Sequence, residues 1–189
     1  MTLYLCVIVA GMLAIAFAVS TALGVAFWGV LGNTALCTAL VIAVDGLTAT
    51  VARLLPKRFA NHESRVFLVN ASEKRFYEKI GIRKWKDKIP ELGHFTGFRK
   101  NKIENPKDGA YLQRFLMEIC YGEIGHFYSC FTGFATLFVC FWVKNWMWIA
   151  VFVSVVNAVL NVLPLFVLRY NSYKLRILWK QTQKRRETC

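Results

Sequence analysis

The sequence predicts an all-α membrane protein with about four transmembrane helices and a basic cytoplasmic segment between helices two and three. Three observations carry this reading. The 189 residues are 56% hydrophobic and 15% aromatic with a mean hydropathy of +0.40, more apolar surface than a soluble domain of this size hides in one core. Leu3 to Val44 contains no charged residue, about twice the ~20 residues that one helical crossing needs. The 24 Lys and Arg residues are grouped: sixteen lie between residues 53 and 114, seven from Arg169 onward, and only Lys144 elsewhere. The positive-inside bias then puts both termini and residues 56–113 in the cytoplasm of a multi-pass protein of the cell membrane. In a soluble chain a net charge of +13 would point to nucleic acid; here the charge follows topology, and no nucleic-acid partner is expected.

Residues 1–55 read as an N-terminal transmembrane hairpin. Helix one runs roughly Leu3 to Trp28, Gly29-Val30-Leu31-Gly32-Asn33-Thr34 supplies a turn, and helix two runs roughly Ala35 to Leu55, closed by Pro56 and the basic cluster Arg53, Lys57 and Arg58. Ala16-Phe17-Ala18 has the form of a signal-peptide cleavage site. However, no basic stretch precedes it and the apolar run is too long, so an uncleaved hairpin is expected.

Residues 56–113 form the basic cytoplasmic or interfacial segment. The aromatic and basic mixture from Lys74 to Lys88 suits an element lying on an anionic membrane surface. Pro90, Gly93, Gly97, Pro106 and Gly109 then punctuate a loop bearing His94, Phe95, Phe98, Arg99 and Lys100, suited to an anionic ligand or simply to solvent.

Residues 114–189 read as a C-terminal transmembrane hairpin with a basic tail. Helix three begins near Leu112 and ends near Val143, Lys144-Asn145-Trp146 turns the chain, and helix four spans about Met147 to Leu168. Trp142, Trp146 and Trp148 supply an aromatic belt at that turn.

Ionisable residues in such helices are costly and mark candidate sites. Glu118, Glu123 and His126 open helix three; Glu123 and His126 are three apart on one face, so a histidine with a carboxylate partner is expected there, the alternative being that they solvate a helix end. Asp45 lies eight residues before Arg53 and Asn161 eight before Arg169, equal depths that predict an Asp45–Asn161 contact between helices two and four, with Asn157 one turn deeper. The six cysteines show no CxxC or Cys/His metal spacing, so neither a disulfide framework nor a bound metal is expected.

Three blocks resemble a known family. They are Ile82-Arg83-Lys84-Trp85-Lys86-Asp87-Lys88-Ile89 with Gly93; Met117-Glu118 followed by Glu123 and His126; and Asn161-Val162 followed by Arg169-Tyr170-Asn171 and Leu175. Together, over about Phe76 to the C-terminus, they look like the small membrane acyltransferases typified by glycosyl-4,4'-diaponeurosporenoate acyltransferase, which completes a staphyloxanthin-type carotenoid. The chain departs from that pattern at Tyr121-Gly122, Phe127 and Ser172. The resemblance implies transfer of a fatty acyl group to a hydroxyl of a lipid or glycolipid acceptor, such as a carotenoid glycoside, at the cytoplasmic face. It needs no cofactor beyond an activated donor such as acyl-CoA or an acyl-carrier protein.

In that reading His126 is the general base, oriented by Glu123 or Glu118, while Arg169 and Asn171 face the acceptor or the oxyanion. Trp85, Lys86, Lys88, Arg99 and Lys100 contact substrate, and Asp45 and Asn161 are structural polar residues. Two other classes fit less of the chain. A non-enzymatic lipid-binding or scaffold subunit would use the basic loop alone. A metal-dependent lipid oxidase would use Glu123-Ile124-Gly125-His126, but di-iron bundles need two such motifs.

Overall fold

The computed structural model describes residues 2–89, 103–140 and 146–187, and all regular structure among them is helical. The α-helices are α1 (Thr2–Leu23), α2 (Phe27–Leu54), α3 (Ala71–Lys79), α4 (Ile82–Trp85), α5 (Gly109–Thr132), α6 (Thr136–Cys140) and α7 (Trp146–Glu187). Short 3-10 turns at Lys57–Ala60, Arg65–Phe67, Lys86–Lys88 and Gly133–Ala135 connect them. Among the described residues, three helices are long and apolar enough to cross a membrane, over Leu5–Leu23, Phe27–Leu54 and Met147–Arg186.

The first turn falls earlier than the sequence predicts. Gly24 takes φ +65, and the Val25 N–H reaches back to the Ser20 carbonyl at 3.1 Å, the six-to-one bond of a Schellman helix end. Residues 29–34, expected as the turn, are instead part of α2. The Thr34 hydroxyl donates to Val30 O at 2.8 Å rather than to a loop, and Val30, Thr34 and Cys37 are all buried.

Helix three is also altered, since the run is broken after Thr132 by the Gly133–Ala135 turn before α6. Helix four is extended in turn: α7 passes Arg169 without a break and continues through the basic tail. At 1.5 Å per residue its 42 residues span about 63 Å, twice the ~30 Å hydrocarbon thickness, so its last turns extend well beyond the apolar layer. Trp142, Lys144 and Asn145 lie outside the described residues.

The chain divides into two compact units, Met1–Val51 with Gly125–Val162, and Ala52–Ile124 with Leu163–Cys189. The first has a core of Ala16 and Val19 from α1, Val30, Cys37 and Val41 from α2, and Ile149, Ala150 and Val153 from α7. Its outward side chains remain apolar, with Phe17, Ile42, Leu47, Phe138 and Val159 exposed, as expected of helices whose solvent is lipid.

In the second unit α5 packs along α7 through Leu112, Phe115, Leu116, Ile119 and Leu175. Gly122 permits the close approach, because a Cβ there would lie 2.9 Å from Leu168 Cδ1. The basic segment is folded onto this pair. Val69, Tyr77 and Ile82 bury against Val167 and Tyr170, while Ala60 and Phe67 bury against Cys120 and Tyr121. Asn70 caps α3, its side-chain oxygen accepting from the Glu73 N–H at 2.8 Å, and Gly81 at φ +70 turns the chain into α4.

Candidate functional site

Two polar clusters are built from the candidate residues, one in each unit. In the first unit His126 on α5 meets Asn161 on α7, with His126 Nδ1 2.9 Å from Asn161 Oδ1. Asn161 Nδ2 donates to Asp45 Oδ2 on α2 at 2.8 Å, so the two residues of matched depth are in contact. Asn157, one turn away on α7, donates through Nδ2 to Asp45 Oδ1 at 3.3 Å and to Ser129 O at 3.2 Å. Both Asp45 oxygens therefore accept from side-chain amides. Nothing but helix packing brings these residues together, since they come from three segments far apart in the sequence.

In the second unit Arg169 is the hub. Its Nε and Nη2 form a two-pronged pair with the Glu73 carboxylate, and Nη1 donates to Glu123 Oε2 at 3.0 Å and to Val66 O at 3.1 Å. Tyr77 donates to Glu73 Oε1 at 2.6 Å. Glu123 is 3% exposed and its Oε1 has no hydrogen-bond partner among the described residues. Burial works against ionisation of Glu73, but the hydrogen bonds from Arg169 and Tyr77 outweigh it and hold the carboxyl below its usual range. Burial and the bond to Glu73 push the Tyr77 phenol well up.

A pH dependence follows from Glu73. A carboxyl whose pKa is depressed by folding contributes stability above its unfolded pKa and loses it as pH falls through the folded one. Thermal unfolding in detergent should show wild type more stable than Glu73→Gln at pH 7, with the difference shrinking as pH falls through and below the ordinary glutamate range. A difference independent of pH would mean that the pair with Arg169 does not form.

The candidate residues are thus distributed differently from the sequence expectation. The described partner of the His126 ring is Asn161, while Glu123 goes to Arg169 and Glu118 Oε2 lies 3.6 Å from Arg53 Nη1. An amide takes the place foreseen for a carboxylate because the glutamates have cations in reach. Arg169, expected to face acceptor or oxyanion, spends four hydrogen bonds on Glu73, Glu123 and Val66. The Asn171 Nδ2 is buried with no hydrogen-bond partner among the described residues.

Trp85 packs beside the Val69–Tyr170 cluster and donates from Nε1 to Ile80 O at 3.3 Å. Lys86 lies 3.4 Å from Asp87, and Lys88 is exposed on the 3-10 turn. Arg99 and Lys100, with His94, Phe95 and Phe98, lie outside the described residues.

Glu73 and Tyr77 are the site residues the sequence reading missed. The pattern Asn70-x-x-Glu73 would have signalled the start of a helix, which puts Glu73 and Tyr77 one turn apart on one face, but not their partner Arg169.

Helices fit to cross a membrane and a histidine held through an amide to a half-buried carboxylate define the class: a helical membrane protein with a polar cluster set among apolar segments. The model of the family described as glycosyl-4,4'-diaponeurosporenoate acyltransferase matches residues 57–181, and the chain belongs to that family. No curated protein matches the chain, and no solved structure does.

Proposed function

We propose that the protein is an integral membrane acyltransferase that moves a fatty acyl group from an activated thioester to a hydroxyl of a lipid or glycolipid acceptor, with His126 as general base. Membership of a family named for acyl transfer to a glycosylated carotenoid acid supports the reaction class. The observation that carries the role of His126 is its hydrogen bond to Asn161, itself anchored on Asp45 within the apolar stretch of α2. An imidazole so placed takes the proton of the acceptor hydroxyl as its oxygen attacks the thioester carbonyl. The carbonyl then re-forms, the carbon–sulfur bond breaks, and the imidazolium returns the proton to the departing thiolate. Donor and acceptor are the substrates, and no further co-reactant is required.

The fork of Arg169 holds the basic segment 56–113 to α7 through Glu73 and Val66, and so contributes to the cytoplasmic platform on which an anionic donor and the anionic membrane surface meet. Basic residues exposed there, including Lys84 and Lys88, are suited to the anionic part of a CoA or carrier-protein thioester.

The experiment for the reaction class is comparative lipid profiling of cells with and without the protein, which should reveal one lipid present only in its deacylated form when the protein is missing. Unchanged acyl lipids in cells that carry every precursor would remove the reading.

The membrane arrangement that goes with it has four crossings, α5 and α6 forming the third, and both termini in the cytoplasm. Single cysteines at Lys57 and Lys184, in a variant lacking native cysteines, should resist an impermeant thiol reagent in intact cells, whereas one at Asn145 should react. Labelling at Lys57 with protection at Asn145 would invert the arrangement.

A further inference from the structure

We propose that Asn161, Asp45 and Asn157 form a tautomer lock on His126, holding its proton on Nδ1 and leaving Nε2 as the basic atom. The inference rests on the general-base reading above and specifies its atom and its positioning residues. Which end of an amide is oxygen follows from its neighbours, and here the neighbours decide. The Asn161 nitrogen faces three acceptors, Asp45 Oδ2 at 2.8 Å, Asn157 O at 3.1 Å and Asn157 Oδ1 at 3.2 Å. Turning this amide over would set its oxygen against three other oxygens. Asn161 Oδ1 is therefore the atom that faces His126 Nδ1 at 2.9 Å, and since an oxygen with no hydrogen only accepts, Nδ1 must carry the proton. In a neutral imidazole Nε2 then holds the lone pair.

Asn157 makes the lock one-way. Its own nitrogen faces Ser129 O and Asp45 Oδ1, so its oxygen is the end that turns to Asn161. Both amides are fixed by the same carboxylate, which acts through Asn161 where the aspartate of a hydrolase triad bonds its histidine directly. Gly133 gives Asn157 room, because a Cβ at that position would stand 2.7 Å from Asn157 Nδ2. Among the described residues no carboxylate is hydrogen-bonded to the ring, and the Asn161 amide transmits the preference of Asp45.

The test is the ¹⁵N–¹H correlation spectrum of histidine-labelled protein in detergent at a pH where His126 is neutral. The three histidines are told apart by the single variants His62→Gln and His94→Gln. Wild type should show the Nδ1 resonance of His126 in the protonated range and Nε2 in the unprotonated range. Asn161→Leu should produce a mixture of tautomers or the Nε2–H form, and a kcat lower by about 10²-fold or more with KM little changed, the scale seen when a catalytic histidine loses its orienting partner. Asp45→Asn, which keeps an acceptor for Asn161, should retain more of the Nδ1–H form than Asp45→Leu.

An Nε2–H tautomer in wild type overturns the lock even if acyl transfer is observed, and that measurement needs no variant to fold. Conversely, an Nδ1–H tautomer in a protein without any acyl-transfer activity leaves the lock standing and removes the reading of function beneath it.

Discussion

His126→Gln should lower the kcat of acyl transfer by about 10²–10⁴-fold, while expression, membrane insertion and acceptor binding stay near those of wild type. The magnitude is that of a positioned general base, whose contribution appears in the transition state and hardly in the ground state. Glutamine is the informative substitution. It can still donate to Asn161 Oδ1 from its amide nitrogen, so the network that ends on Asp45 can survive while the titratable nitrogen is lost. His126→Ala removes the proton acceptor and leaves Asn161 Oδ1 without its partner, so it adds a stability cost of about 1–3 kcal/mol. Kinetics of the two variants beside their thermal unfolding separate chemistry from packing. Full activity in His126→Gln would make His126 a packing residue and move the search for the base elsewhere.

Arg169→Met carries the largest expected stability loss, about 3–5 kcal/mol, because it strands the Glu73 and Glu123 carboxylates after removing the cation they share. Glu123 is nearly fully buried and cannot turn to water. Arg169→Lys should recover only part of the loss: a lysine keeps the charge but cannot pair with both Glu73 oxygens, Glu123 and Val66 O at once. Proteolysis should become faster in the basic segment, which Arg169 fastens at Val66. Chemical denaturation monitored by tryptophan fluorescence reads the loss, and a Lys variant equal to wild type would mean that only the charge matters.

Part of this was legible in the residues. Asp45 and Asn161 are polar groups at equal distance from a basic boundary, and in an apolar medium depth is nearly the whole address of a polar group, so their contact could be read from spacing. The family blocks at Glu118, Glu123, His126 and Arg169 were legible in the same way, as ionisable residues where few are tolerated.

Pairing was less legible. Spacing put Glu123 and His126 on one face of a helix, but spacing does not say which cation lies across from a glutamate, and Arg169 is far removed in sequence. Glu73 gave no sign of being its counter-ion, since a charge in a basic segment looks solvated until the fold pairs it. The first turn was misplaced for a local reason: Gly-Asn-Thr is good turn chemistry, but a lone glycine at position 24 suffices for a helix end, and burial of Val30, Thr34 and Cys37 rewards continuing α2.

The most direct measurement is acyl transfer by the purified protein in vesicles containing anionic lipid, supplied with a long-chain acyl thioester and a glycosylated carotenoid acid or a glycolipid, with products identified by mass spectrometry. General-base catalysis by His126 predicts an acceptor heavier by one acyl group, formed by wild type but not by His126→Gln at equal protein. Equal product from wild type and His126→Gln would contradict it.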